Sequence, residues 1–178
     1  MPSAPNPSPR TDALVVRPAS PADAQAVAAI YRHHVLSGTG TFDITPPTAA
    51  EMEARIGRVL GRGWPWLVAE GAGEAVGYAC AAQFRDREGY APTCESSVYV
   101  AAGHEGRGIG RMLMERLVAE AGAAGFRQMV AVVGDSANAA SLALHRRLGF
   151  REAGRLTNVG EKFGRALDVV FLQRGLEG

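Results

Sequence analysis

Between Cys94 and Gly110 the chain reads CESSVYVAAGHEGRGIG, and this stretch holds the residues most able to do chemistry. A β-branched strand, Ser96–Val100, runs into a turn of small residues and then into an amphipathic helix. Backbone N–H groups at such a helix start sit at the positive end of the helix dipole and bind phosphates well. Glu95, just upstream on the strand, is a carboxylate that could accept a proton. A phosphate cradle and a candidate base on one strand–turn–helix unit point to group transfer from a phosphorylated cofactor.

The turn is not a dinucleotide fingerprint. In Glu105-Gly106-Arg107-Gly108-Ile109-Gly110 the glycines lie two apart, and no ribose-binding acid follows at the usual distance. The terminal Lys-Ser/Thr of a nucleotide-hydrolysing loop is also missing. Taken alone, a glycine-rich helix entry is more often a tight turn than a ligand site. Arg107 and Arg111 favour a ligand here, because each can reach a bound phosphate.

The elements that must position these groups read as one α/β unit. Leu14–Arg17 is a short strand stopped by Pro18, and Ser20-Pro21-Ala22-Asp23 opens a helix to about Leu36. Ser37–Pro47 is a loop carrying Phe42. Thr48 and Glu51 form a second capping box for a helix reaching about Leu60. Trp66–Glu70 and Ala75–Ala82 read as a hairpin, and Phe84–Thr93 as a charged loop. After Ser96–Val100 comes the helix Gly108–Ala121, with Ile109, Leu113, Leu117 and Ala121 at helical spacing. Met129–Val133 suits a strand covered on both faces. Asn138–Leu148 is a helix closed by Gly149, and Phe150–Leu156 and Phe163–Gln173 are the last strands. The order β-α-α-β-β-β-α-β-α-β-β implies a mixed sheet with helices on both faces.

The 178 residues fit one domain, with residues 1–13 as a proline-rich tail and the folded unit over 14–174. A net charge of +1 gives no field for nucleic acid or anionic membrane. Cys80 and Cys94 lack metal-ligand spacing, no metal site is read, and no apolar run is long enough to cross a bilayer. With no apolar signal core at the N-terminus, cytoplasm is the expected compartment. Eighteen of the 19 basic residues are Arg, and Lys162 is the one lysine.

SVYVAAGHEGRGIGRMLMERLVAEA and QMVAVVGDSANAASLALHRRLGF resemble the core of the GNAT acyltransferase superfamily. Within it the chain is similar to the phosphinothricin and methionine sulfoximine N-acetyltransferases. PWLVAE at Pro65–Glu70, LHRRLGF at Leu144–Phe150 and KFGRALDVVFLQ at Lys162–Gln173 support the likeness. It implies the GNAT fold, a mostly antiparallel sheet, and acetyl-CoA as co-substrate. The superfamily has Gln or Arg where this chain has Glu105, so that carboxylate is expected to face solvent.

The resemblance also implies roles. Gly106, Arg107, Gly108, Ile109, Gly110 and Arg111 would hold the pyrophosphate. Val98, Tyr99 and Val100 would pair their backbone with the pantetheine arm, with the sheet splaying after this strand toward Gly103. Asn138 and Ser141 would touch the arm or its phosphate, although Asn138 also reads as a plain N-cap. Glu95 matches the general base and His145 a proton donor to the leaving thiolate. Arg85 and Arg87 would bind a small amino-acid-like acceptor, with Phe42, Thr39 and Lys162 around it. His33, His34 and His104 show no ligand spacing, and Trp64-Pro65-Trp66 reads as core or dimer contact. The family commonly dimerises. Two readings compete: the same chemistry on a protein amine or an aminoglycoside, and a non-catalytic acyl-CoA sensor.

Overall fold

A computed structural model describes residues 13–177, so the expected tail lies outside the described residues apart from Ala13. The elements are β1 (Val15–Pro18), α1 (Ala24–Ser37), α2 (Ala49–Gly61), β2 (Trp66–Gly71), β3 (Glu74–Gln83), β4 (Thr93–Val100), α3 (Ile109–Ala123), β5 (Gln128–Gly134), α4 (Ala139–Arg147), β6 (Arg151–Lys162) and β7 (Arg165–Gly175). They follow the order read from the sequence. The seven strands form one sheet in the order β1-β2-β3-β4-β5-β7-β6. Only β4 and β5 run parallel; every other neighbouring pair is antiparallel.

Local chemistry sets the helix starts. Ser20 N donates to Asp23 Oδ2 at 2.7 Å, closing a single 3-10 turn over Pro21–Asp23, so α1 begins at Ala24. Arg17 donates to Asp23 (2.7 Å) and Glu70 (2.8 Å), tying β1 to the helix entry and to β2. That guanidinium holds the Asp23 carboxyl below its usual range. At α2 the second box closes as expected: Glu51 N donates to Thr48 Oγ1 (3.2 Å) and Thr48 N to Glu51 Oε2 (2.7 Å).

The last hairpin departs from the reading. Phe163 is not a strand residue: it and Gly164 have φ of +52° and +70°, forming a two-residue turn between the paired Lys162 and Arg165. Positive φ at both central residues matches the twist of a hairpin. β6 consequently reaches Lys162, with an irregularity between Leu156 and Gly160 and Asn158 at φ +56°.

Helices lie on both faces. α1 and α2 bury Val27, Val35 and Ile56 against Val68 and Tyr78. On the opposite face α3 and α4 bury Leu113, Leu117 and Leu142 against Leu67, Met129 and Leu172. β5 is not covered on both sides as its apolar run suggested. Met129, Ala131 and Val133 are buried, while Val130 and Val132 are half-buried, because the α1/α2 layer packs over β2–β4.

The β4–β5 ladder runs only from Thr93↔Gln128 to Ser96↔Ala131, although both strands continue. β5 stays with β7 through Gly134↔Val169, and β4 stays with β3 through Val100↔Gly77. The sheet therefore opens inside β4, after Ser96, rather than beyond its end near Gly103. At the far lip of this gap a Cβ on Gly134 would come within 2.9 Å of Thr39 O. Gly134→Ala should therefore destabilise the fold by about 1–3 kcal/mol in urea unfolding. Gly57→Ala, on the open face of α2 with nothing within 4 Å of the new carbon, should stabilise it by about 0.5–1 kcal/mol.

Candidate active site at the β4–β5 gap

Ladder alternation decides which backbone groups the gap exposes. Ala101 N donates to Val76 O (2.9 Å) and Phe84 N to Thr93 O (3.0 Å), so the odd-numbered residues of β4 bond to β3. Past Ser96, Val98 and Val100 therefore turn their N–H and C=O groups into the gap. Tyr99, expected to share in this edge, instead bonds its backbone toward β3. Its ring lies 5.4 Å from Tyr78 and 5.0 Å from Tyr31. The gap encloses a cavity of about 360 Å³ between Val98–Val100 and Ala131–Gly134, with Glu95 at one end and α4 along its side.

Glu95 is half-buried, and burial pushes its carboxyl above the usual range. Arg85 Nη1 stands 3.7 Å from Glu95 Oε2 and opposes that rise. The same guanidinium lies 4.1 Å from the Phe84 ring centre. Arg87, by contrast, is exposed and makes no ion pair among the described residues.

α4 lines the gap through Asn138, Ser141 and His145. Asn138 is the N-cap, with Oδ1 accepting from Ser141 N at 3.1 Å, so its amide nitrogen is left over for a ligand. His145 is only 3% exposed, and its Nδ1 lies 2.8 Å from Ser141 O. A carbonyl only accepts, so Nδ1 carries the proton and Nε2 is bare in the neutral ring. Burial also lowers the imidazole pKa. In this form His145 has no proton to give at Nε2, which runs against a simple donor role.

The turn before α3 depends on its glycines. Gly103, Gly106 and Gly108 have φ between +73° and +81°, and Gly108 caps α3 in the left-handed region. The first bond of the helix runs from Met112 N to Gly108 O (3.0 Å), so the amides of Ile109, Gly110 and Arg111 are free of α-helical partners. Ile109 contributes only its amide, since its side chain is buried in the core. Arg107 Nη1 lies 3.1 Å from His104 Nδ1, and Arg111 bonds Glu115 (2.7 Å) on the exposed helix flank. Glu105 is exposed, and backbone N–H groups hold its carboxyl below the usual range.

Two residues expected around the acceptor do other work. Thr39 Oγ1 donates to Asp135 Oδ2 (2.8 Å) and does not line the gap. Lys162 is buried at 3% exposure and donates to Thr41 O (2.8 Å), pinning the 38–48 loop rather than closing over a ligand. Tyr31 OH holds the same loop through Thr41 Oγ1 (2.7 Å) and Asp43 Oδ2 (2.8 Å). Phe42 does line the gap, and a Cβ on Gly160 would fall 2.8 Å from its ring, so β6 props that wall. His34, set aside in the sequence, lines the gap and places Nε2 2.8 Å from Val100 O. No local spacing could have shown this, because the two residues are 66 apart in the chain.

An opened strand edge beside free helix-start amides fits an elongated phosphorylated thioester: the edge suits its amide arm and the amides its phosphates. Comparison with known proteins agrees with that architecture. The model of the acetyltransferase (GNAT) family matches residues 27–150. A phosphinothricin N-acetyltransferase of Alcaligenes faecalis is 48% identical over 164 residues, covering 92% of this chain and 83% of that protein. An L-methionine sulfoximine/L-methionine sulfone acetyltransferase of Pseudomonas paraeruginosa is 42% identical, covering 91% and 94%. The crystal structure of a GNAT superfamily phosphinothricin acetyltransferase from Sinorhizobium meliloti in complex with AcCoA superposes with a TM-score of 0.89 at 42% identity, covering 92% and 89%. Open sheet, gap and sequence together make this chain a member of the GNAT acetyltransferase family.

Proposed function

We propose that the chain, acting as one catalytic unit over residues 14–174, transfers the acetyl group of acetyl-CoA to the α-amine of a small amino-acid-like acceptor such as phosphinothricin or methionine sulfoximine. The observation that carries this reading is the unpaired edge of β4 with Glu95 at its mouth. Acetyl-CoA supplies the activated acyl group. Its phosphates suit the amides of Ile109, Gly110 and Arg111, and its arm suits the edge at Val98 and Val100. Asn138 and Ser141 flank the same space.

An ammonium is not a nucleophile until it loses a proton, and Glu95 accepts that proton directly or through water. Its raised pKa makes it a stronger base than an exposed carboxylate. The freed amine forms a C–N bond to the acyl carbon as the C–S bond breaks, and the second proton of the nitrogen leaves to solvent. The Val98 N–H is the backbone donor suited to the developing oxyanion. Because the neutral His145 keeps its proton on Nδ1, solvent protonates the thiolate in this scheme, and His145 shapes the wall. Arg85, beside Glu95, suits the acceptor's carboxylate. Cys80 and Cys94 take no part: burial pushes both thiols up to about 12.

The same proposal takes the assembly to be a homodimer in the cytoplasm. Leu156, Val159 and Phe163 are 49–58% exposed on and beside the edge strand β6, which suits pairing with a second copy. The free cysteines suit a reducing compartment.

Glu95→Gln should lower kcat with L-methionine sulfoximine by roughly 10²-fold or more, with the KM for acetyl-CoA within about twofold. Near-normal turnover would remove the base. In the parent enzyme activity falls as pH drops through the Glu95 pKa, since only the carboxylate accepts a proton. That acid limb should lie above the ordinary carboxylate range and be missing from the residual activity of Glu95→Gln. His34→Phe keeps a ring beside Tyr99 but removes the donor to Val100 O. It should raise the Kd for CoA about three- to tenfold in calorimetry.

A further inference from the structure

Continued in the register of Thr93↔Gln128 and Ser96↔Ala131, the interrupted ladder would set Val100 opposite Asp135. These two residues are instead held apart by a short span of chain. His34 Nε2, near the end of α1, lies 2.8 Å from Val100 O. Thr39, just past the same helix, donates from Oγ1 to Asp135 Oδ2 at 2.8 Å. Between them Gly38 N donates to His34 O at 3.0 Å and closes the helix. The segment from His34 to Thr39 therefore crosses the mouth of the gap, with one polar contact on each lip.

Asp135 is shaped for its end of the span. It lies just past β5, is 9% exposed and has φ +64°, a left-handed conformation that Asp and Asn adopt more readily than most side chains. Its backbone N–H donates to Asp168 O of β7 (2.9 Å), and its carbonyl accepts from Asn138 N (2.9 Å). Its carboxylate is divided: Oδ1 accepts from Ala137 N at 2.9 Å and Oδ2 accepts from Thr39. Those donors hold the carboxyl below its usual range, and Arg165 Nη2, 3.8 Å away, adds to the effect. One ionised side chain thus joins β5, the loop after α1 and the entry to α4.

The contacts around this joint are close. A Cβ on Gly134 would come within 2.9 Å of Thr39 O, and one on Gly40 within 3.3 Å of Asn138 Nδ2. That nitrogen is the one left over when Asn138 Oδ1 caps α4, and Gly40 and Asn138 both line the gap. Asp135 and Thr39 do not line it. A bare strand edge gains hydrogen bonds by closing on its neighbour, so an open gap needs something to hold its mouth.

We infer that Asp135 is a positioning residue for the cofactor arm, acting through Thr39 and Asn138, a reading that rests on the acetyl transfer above. Through Thr39 it fixes the width of the mouth against the His34 contact on Val100. Through its side-chain bond to Ala137 N and its carbonyl bond to Asn138 N it sets the α4 cap, with the spare amide, facing the edge at Val98 and Val100. An arm between these two sides meets groups already held at one separation, which spares the cost of ordering them on binding.

Thr39→Val keeps the side chain's shape and removes its hydroxyl. In calorimetry it should raise the Kd for CoA about three- to tenfold, and Thr39→Ser should bring it back to within about twofold of the parent. Asp135→Gly, which deletes the carboxylate where glycine's backbone is at ease, should weaken CoA at least as much as Thr39→Val. The phosphoadenosine diphosphate half of CoA, which lacks the arm, should bind every variant as it binds the parent. In steady-state assays with L-methionine sulfoximine the KM for acetyl-CoA should follow the Kd, with kcat within about twofold. Because the span has two ends, Thr39→Val made in His34→Phe protein should add less than about twofold to the Kd. A Thr39→Val protein with lower thermal stability but the parent's Kd for CoA would mark a structural contact and overturn the inference. So would equal weakening of the arm-less half, or full additivity with His34→Phe. Each of these results leaves the transferase reading intact. A parent that binds CoA yet acetylates no amino acid would overturn that reading instead, with the positioning role still decided by the Kd. No CoA binding by the parent would remove both.

Discussion

The structure turns on one interruption: the ladder between β4 and β5 stops at Ser96↔Ala131 while both strands run on. Backbone N–H and C=O groups deprived of partners are expensive to bury, and Val98 and Val100 keep theirs turned into an open gap. The surrounding elements accommodate that cost in different ways. α1 brings the His34 imidazole to Val100 O, the 38–48 loop lies across the opening under the hold of Lys162 and Tyr31, and α4 sets its capped start against it. The interruption persists because each strand is committed elsewhere, β4 to β3 and β5 to β7. An opening held by two intact ladders is rigid, which suits a site that must orient two reactants.

The alternation of β4 divides the labour between its two sides. Ser96, Val98 and Val100 give their side chains to the α3/α4 face; the backbone of Ser96 closes the ladder with β5, and those of Val98 and Val100 face the gap. Glu95, Ser97 and Tyr99 give their side chains to the α1/α2 face and their backbone to β3. The gap edge and the α1/α2 face are therefore served by successive residues of one strand. Net charge says little about such a site: the overall +1 conceals a carboxylate pushed toward basicity by burial within reach of a guanidinium.

Much of this was legible in the sequence because it is local. The Thr48–Glu51 and Ser20–Asp23 boxes, the glycine turn before α3 and the spacing of Leu113 and Leu117 are encoded within a few residues, and all seven strands and four helices came in the order read. What was not legible depends on distant partners. The place where β4 leaves β5 is decided by β3 and β7, so nothing local in the sequence shows that the splay begins after Ser96 or that Tyr99 turns its backbone to β3. Lys162 and Thr39 looked available to a ligand because their partners, Thr41 O and Asp135, are far away in sequence. The Phe163-Gly164 turn is hidden in the sequence because Phe163 has the character of a strand residue and the conformation of a turn. For His145 the resemblance implies a donor, and only the carbonyl at Nδ1 shows which nitrogen holds the proton.

Lys162 has a chemical consequence of a different kind. A protein that handles a reactive thioester exposes its own amines to stray acylation. Here every other lysine-or-arginine position holds a guanidinium, which stays protonated and does not attack thioesters, and the one primary amine among the side chains is Lys162. Burial lowers the Lys162 pKa, which would make it the more nucleophilic if it were reached, but its nitrogen is held beneath Thr41 O and is closed to solvent. The folded chain thus presents no accessible lysine to its own reagent, and amine-directed crosslinkers and dyes should find its lysine side chain just as unresponsive until the 38–48 loop lifts away.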